Sequence, residues 1–206
     1  MKPLLLILAL VLAAPAPAQD VADPDLRAEL LEMVAADQDI RQRAIEAGAF
    51  VDSASVVAFA QTDLGREMME GDSLRLARVV EIVDTHGWPT ASLVGTDGVD
   101  AAFLIVQHGD LEVQARMLPL VECSWRAGDL EGQSYALLLD RVRLKQGEPQ
   151  VYGTQVGLDA EGEFVPTDLA DPETVDARRA EVGMMPLAEY LEILRGLYAP
   201  AEPDAE

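Results

Sequence analysis

The chain has two histidines, His86 and His108, and each stands directly before a glycine where an apolar helical pattern stops. An imidazole just inside a helix C-terminus feels the negative end of the helix dipole, which favours the imidazolium by ~0.3–1 kcal/mol at an exposed position. His86 and His108 are therefore candidates for the acid and base of a reaction run near neutral pH. The structural alternative has His86 capping its helix and His108 donating to a carbonyl. Most of the rare polar chemistry falls between them and residue 155, at the edges of apolar runs: His86-Gly87-Trp88-Pro89, Gln107-His108, Asp140-Arg141 and Gln150-Val151-Tyr152-Gly153-Thr154-Gln155.

Gln107 and His108 follow the apolar run 101–106 without a break, so a polar pair is planted at the end of a helix expected to be buried. Buried polar groups cost ~1–3 kcal/mol each unless they are satisfied, and Asp37, Arg41, Asp140, Arg141 and the glutamines near 150 are the natural partners. Asp140-Arg141 closes the run 135–139, and the planar fork of Arg141 suits a carboxylate or a phosphate. In a working site Asp37 or Asp140 orients the imidazoles, while Arg41, Trp88, Gln107, Arg141, Gln150, Tyr152 and Gln155 hold the ligand, a small molecule or a peptide. The same residues could equally form a structural network that locks helices together in a non-catalytic binding or interaction domain.

Other chemistries find little support. A catalytic zinc wants three protein ligands, and two histidines without His-Glu-x-x-His spacing argue against a metal. Asp159-x-Glu161-x-Glu163 imitates the start of a calcium loop, but Gly162 is in the fourth place rather than the sixth. Gly-x-Ser-x-Gly, Walker and Gly-x-Gly-x-x-Gly motifs are missing, and no cofactor can be named. Cys123, among Leu120, Val121 and Trp125, reads as a core thiol.

The elements that must position these residues are mostly helices. Asp23-Pro24 is an N-cap with proline at the first helical position, opening a helix whose Leu26, Leu30, Met33, Asp37, Arg41 and Ala44 share a face. Asp37 and Arg41 therefore point inwards, one turn apart. A less regular helix and turn covers 51–70, and Asp72-Ser73 caps a stronger helix that stops at His86-Gly87. The next starts near Thr96-Asp97 and, being apolar almost all round, is the central one. Asp110 opens another to Gly128, kinked near Pro119, and a further helix covers 131–145. Residues 150–156 then alternate, and the turn 159–162 precedes 163–165, which reads as a β-hairpin. Asp171-Pro172 and Pro186 begin two closing helices. The expected fold is mainly α: a single-domain helical bundle over 19–199, with a β-hairpin before the last two helices, and a disordered acidic tail at 200–206.

Lys2, the apolar run 4–14 and the exit Ala16-Pro17-Ala18 have the layout of a secretory signal peptide, residues 1–18. The run is shorter than the ~20 residues a bilayer span needs, and no cysteine follows the exit to take a lipid. The expected mature protein starts at Gln19 and is soluble, secreted or periplasmic, with no membrane contact after cleavage. A net charge of −22 repels phosphate backbones and anionic lipid, which argues against nucleic-acid binding. Oligomeric state is not legible.

The set His86-Gly87-Trp88-Pro89, Gln107-His108, Asp140-Arg141, Gln150-x-Tyr152-Gly153-Thr154-Gln155 and Arg178-Arg179-x-x-x-Gly183 resembles a bacterial family known as domain of unknown function 6624. The likeness covers roughly residues 26–195 and includes the start Asp37-Gln38-x-x-Arg41. The combination is specific although each piece is short, and it carries no activity with it. One departure is Gly109, where a small apolar residue is expected.

Overall fold

The computed structural model describes Lys2–Pro3, residues 21–50 and residues 53–198. Apart from Lys2–Pro3 the expected leader lies outside the described residues, as does the tail 200–206. Helix α1 (Pro24–Glu46) starts as its cap requires, with the Asp23 carboxylate accepting from the Leu26 amide at 2.9 Å. Its buried face carries Leu26, Leu30, Val34, Asp37, Ile40, Arg41 and Ala44, so the expected charged pair does point inwards.

A short α2 (Ser53–Phe59) leads to α3 (Asp63–His86), which begins well before the expected Asp72-Ser73 cap. Thr62 caps it, its hydroxyl accepting from the Gly65 amide. Asp72 and Ser73 are thus inside the helix, where Ser73 Oγ donates back to the Met69 carbonyl and Asp72 is taken up by arginines. Helix α4 (Ala91–Gln107) is interrupted at Gly95 (φ 77°, ψ 162°), which leaves the long regular part starting at Thr96, as its sequence suggests. Asp110 caps α5 (Leu111–Ala127), left-handed Gly128 ends it, and α6 (Gly132–Lys145) follows.

The helices have directions that matter. Arg27 pairs with Asp97 near the start of α1 and α4, and Asp37 meets His108 further along, so these two helices are parallel. Glu29–Arg78 and Arg43–Glu67 run the opposite way, so α3 is antiparallel to α1. Short turns reverse α4 into α5 and α5 into α6, giving α1, α4 and α6 one direction and α3 and α5 the other. The C-terminal halves of α1, α4 and α6 therefore gather at one pole, and the ends of α3 and α5 at the opposite pole.

Between the poles lies one large core, with Leu30, Val79, Val99, Val106, Met117 and Leu138 fully buried. Truncating any of the larger ones to alanine costs about 2–5 kcal/mol in comparable cores. Gly109 sits close beneath α3: a Cβ there would stand 2.9 Å from Leu76 Cδ1, so a larger residue requires the Leu76 side chain to shift. No helix among the described residues is long and apolar enough to cross a membrane.

The C-terminal third departs from the alternating pattern. Strands β2 (Val156–Leu158) and β3 (Phe164–Pro166) form the hairpin, with β1 (Lys2–Pro3) antiparallel to β2 on its other edge. Residues 150–155 are a compact loop instead of a strand. The reason is Asp140, whose carboxylate gathers the amides of Val151, Tyr152 and Thr154 on one side, whereas successive amides of a strand point to alternate sides. A 3-10 turn (Pro172–Thr174) leads into α7 (Val175–Glu181), and α8 (Leu187–Tyr198) closes the described chain. The fold is mainly α with the hairpin before the final helices.

Candidate functional site

At the pole where α1, α4 and α6 end, Asp37 is the centre of a buried charge network, with a relative exposure of 1 %. Its carboxylate lies 2.9 Å from Arg41 Nη1, 2.9 Å from Gln38 Nε2 and 3.1 Å from His108 Nδ1. Arg41 spans from Asp37 to Asp72 on α3, which in turn accepts from Arg75 Nη2 at 2.7 Å. Arg75 Nε aims at Asp37 from 3.7 Å, beyond hydrogen-bond reach, and has no other partner among the described residues. Burial pushes the Asp37 carboxyl up, but the His108 hydrogen bond and the charges of His108, Arg41 and Arg75 outweigh it, so its pKa falls below the usual range. An ionised carboxylate only accepts. The proton shared with His108 therefore belongs to Nδ1, and in the neutral ring Nε2 keeps its lone pair.

His108 gets there because α4 ends on it: its amide closes on the Leu104 and Ile105 carbonyls, and its side chain, 21 % exposed, reaches back across to α1. The carbonyl before it, that of Gln107, accepts from Arg141 Nη1 at 2.7 Å and from Gln114 Nε2 at 2.9 Å. Lys145 Nζ donates to Gln114 Oε1 at 2.9 Å. Gln107 itself is buried and its side-chain oxygen has no partner among the described residues. Thus Asp37, Arg41, Gln107, His108 and Arg141 come together from three helices.

The remaining expected residues divide between two other places. Asp140 is fully buried and accepts at 2.7–3.2 Å from the amides of Val151, Tyr152 and Thr154 and from the Thr154 hydroxyl. Burial raises its pKa against the pull of those donors. Gln150 Nε2 donates to the Gln155 and Thr167 carbonyls and its Oε1 accepts from the Gln155 amide. From the other side Arg178 donates to the Val151 carbonyl and Arg179 to the Tyr152 carbonyl, while Gly153 (φ 69°) makes the bend. Asp140, Gln150, Tyr152 and Gln155 are consumed in holding this loop. Asp140 is joined to the loop and not to either imidazole in these contacts.

His86 is exposed at the end of α3, about 16 Å further along that helix than Arg75 by the rise per residue. It lies at the pole opposite His108. Both histidines end apolar runs, but successive antiparallel helices end at opposite poles, so no common mouth joins them. Trp88 goes with His86 and lines an open groove of about 230 Å³ with Leu120, Cys123, Ser124 and Asp129. Cys123 is exposed there, contrary to the expected core thiol, because its place on α5 faces away from Met117 and Val121.

Asp72, Arg75, Gln114 and Lys145 belong to the His108 pole although sequence reasoning passed them over. Their signal was helical phase: Asp72, Arg75, Leu76 and Val79 share a face at three- and four-residue steps, as do Gln114, Met117 and Val121. Among the described residues no group of three or more His, Cys, Asp or Glu is placed to hold a metal ion.

The sequence matches the family of unknown function DUF6624 over residues 24–200, so the chain belongs to that family. Neither a curated protein nor a solved structure matches it.

Proposed function

We propose that this member of DUF6624 is an exported acid–base enzyme acting on a small molecule or a peptide, in which His108 exchanges the proton and Asp37 orients it. The observation that supports this most is the pairing of His108 Nδ1 with an ionised, buried carboxylate at 3.1 Å, which leaves Nε2 as the ring's basic nitrogen on a partly exposed side chain. A carboxylate so placed fixes the tautomer and stabilises the imidazolium that forms when Nε2 takes a proton, from water in a hydrolysis or from the substrate itself. Arg41 and Arg75 keep Asp37 ionised and in place. With His86 at the far pole, one imidazole accepts the proton and returns it. Positioned acid–base catalysis of this kind contributes roughly 10²–10⁴-fold in rate.

A second reading is a non-catalytic binding or interaction domain. It is favoured by the closed charge balance of Asp37, Asp72, Arg41 and Arg75, which is what a purely structural network requires.

Long-range ¹H–¹⁵N NMR of the imidazoles tests the first reading without a substrate. Neutral His108 is expected to carry its proton on Nδ1 and to give up that preference in Asp37→Asn. A proton on Nε2 in the wild type would overturn the acid–base reading. On a panel of chromogenic ester, anilide and phosphate-ester substrates, His108→Gln should remove turnover with little change in Tm, whereas a falling Tm with unchanged binding would favour the second reading.

A further inference from the structure

In a strongly acidic chain, a cation without a counterion stands out. Every arginine other than Arg141, Arg178 and Arg179 has a carboxylate within 4 Å. Arg178 and Arg179 each hold at least two backbone carbonyls, and Arg179, whose buried Nη2 lacks a hydrogen bond among the described residues, has its guanidinium over the Tyr190 ring. Arg141 is different. One of its nitrogens holds the Gln107 carbonyl, and its Nε and Nη2 have no partner among the described residues. Lys145 stands one turn further on the same face of α6, joined among the described residues only to the neutral Gln114 side chain. Burial holds both groups below their ordinary range, and for Lys145 the charge of Arg141 adds to this while Asp110 opposes it.

Two cations four residues apart, partly desolvated and mutually repelling, are less favourable than either alone, so the fold gains little from this arrangement by itself. An anion between them would relieve the repulsion and use the open edge of the guanidinium. A planar fork beside an ammonium matches the oxygens of a carboxylate or a phosphate. The place is also specific. The peptide group that Arg141 binds joins Gln107 to His108, so the guanidinium lies within roughly 6 Å of the His108 Cα.

We infer that the ligand handled at His108 is an anion, a carboxylate or a phosphate ester, seated by Arg141 and Lys145. This rests on the acid–base reading only for its location; the cations would bind such a group whether or not His108 moves a proton. Arg141 fixes the anion through its free edge, and Lys145, at the solvent side, closes over it.

The test uses inorganic phosphate as the probe, titrated into the mature protein by calorimetry at ionic strength held constant with chloride. Saturable binding is expected in the wild type. Lys145→Gln, on an exposed side chain, should weaken it about tenfold, the loss of one charge-assisted hydrogen bond. Arg141→Gln should abolish it, and because Arg141 also holds the end of α4, the Lys145 variant carries the test if that protein fails to fold. Arg143→Gln removes the same charge from the same helix at a residue paired with Glu148, and should change binding less than twofold. No saturable phosphate binding by the wild type would overturn the inference, as would equal weakening in the Lys145 and Arg143 variants, which would signal only a diffuse field. Loss of phosphate binding with the Nδ1–H tautomer intact would fell this inference alone, and binding retained with an Nε2–H tautomer would fell only the acid–base reading.

Discussion

Replacing Asp140 by asparagine tests how residues 150–155 keep their shape without a strand ladder. The carboxylate has two acceptor oxygens inside the core: one takes the Val151 and Tyr152 amides at 2.7 and 3.0 Å, the other takes Thr154 N and Thr154 Oγ1 at 3.0 and 2.9 Å. A carboxamide has one oxygen. If that oxygen keeps the Val151 and Tyr152 amides, the new NH₂ faces the Thr154 amide, donor against donor; the hydroxyl can turn to accept, but the amide cannot. At least one buried N–H is then orphaned, at about 1–3 kcal/mol, and the two bonds that survive lose their charge assistance. The opposite rotamer orphans the Val151 amide instead, because the Tyr152 amide also reaches the second oxygen, at 3.2 Å. Losing the buried charge offsets part of this, so the expected net cost is about 2–4 kcal/mol. Urea unfolding at pH 7 should show the midpoint falling with an unchanged slope, and native-state hydrogen exchange should show the Thr154 amide losing protection. Thr154→Val, which removes the hydroxyl's bond to Asp140 and the one it accepts from Gln155 Nε2 but leaves every amide its carboxylate, should cost only about 1–2 kcal/mol. A loss below ~1 kcal/mol for Asp140→Asn, or an unchanged Thr154 amide, would refute the account of the loop.

Arg41→Ala should cost about 3–5 kcal/mol in the same assay, because Asp37 and Asp72 are left facing each other with only Arg75 and His108 to answer them; a loss near the ~0.5 kcal/mol of a surface pair would show the network to be solvated. Asp100, its pKa pushed up to about 6 by burial and by the charges of Glu131 and Asp97, is favoured neutral by the fold. Its contribution is therefore most favourable below its unfolded pKa of about 3.9 and is lost as pH rises through 6. Asp100→Asn should flatten this slope and stabilise the protein at pH 7 by at most roughly 3 kcal/mol, and an unchanged slope in pH-dependent unfolding would count against it. Intact-mass measurement of exported protein is expected to place the first residue at Gln19, whereas a product still carrying Met1 would exclude cleavage after Ala18.

What could be read from sequence was what is local. Asp23, Asp110 and Gly128 mark helix ends through groups a few residues away, and they sit where their types say. Asp72 looked like another cap, but Thr62 caps the helix earlier and Asp72 serves two arginines instead, one of them from another helix, which no local window contains. Residues 150–156 alternate as a strand does, and the pattern lost to a carboxylate ten residues upstream. His86 and His108 are equivalent as sequence. They differ in space because helix direction reverses between them, a property of the whole bundle. Asp37 and Arg41 showed inward through phase alone, while the convergence of Gln107, His108 and Arg141 depends on α4 and α6 running the same way.

The loop between Asp140 and the two arginines also bears on how the chain folds in time. Its amides are held from α6 and its carbonyls from α7, so neither side can fix it until both helices are in place, and Tyr152 and Arg179 are far apart along the chain. Closing such a contact early would cost entropy before any reward. The loop is therefore expected to dock after the rate-limiting barrier, with φ-values near zero at Asp140, Thr154 and Arg179. In a chevron, substitutions at these positions should raise the unfolding rate and leave the folding arm almost unmoved. What the clasp then governs is how long a folded molecule persists, not the speed with which it forms.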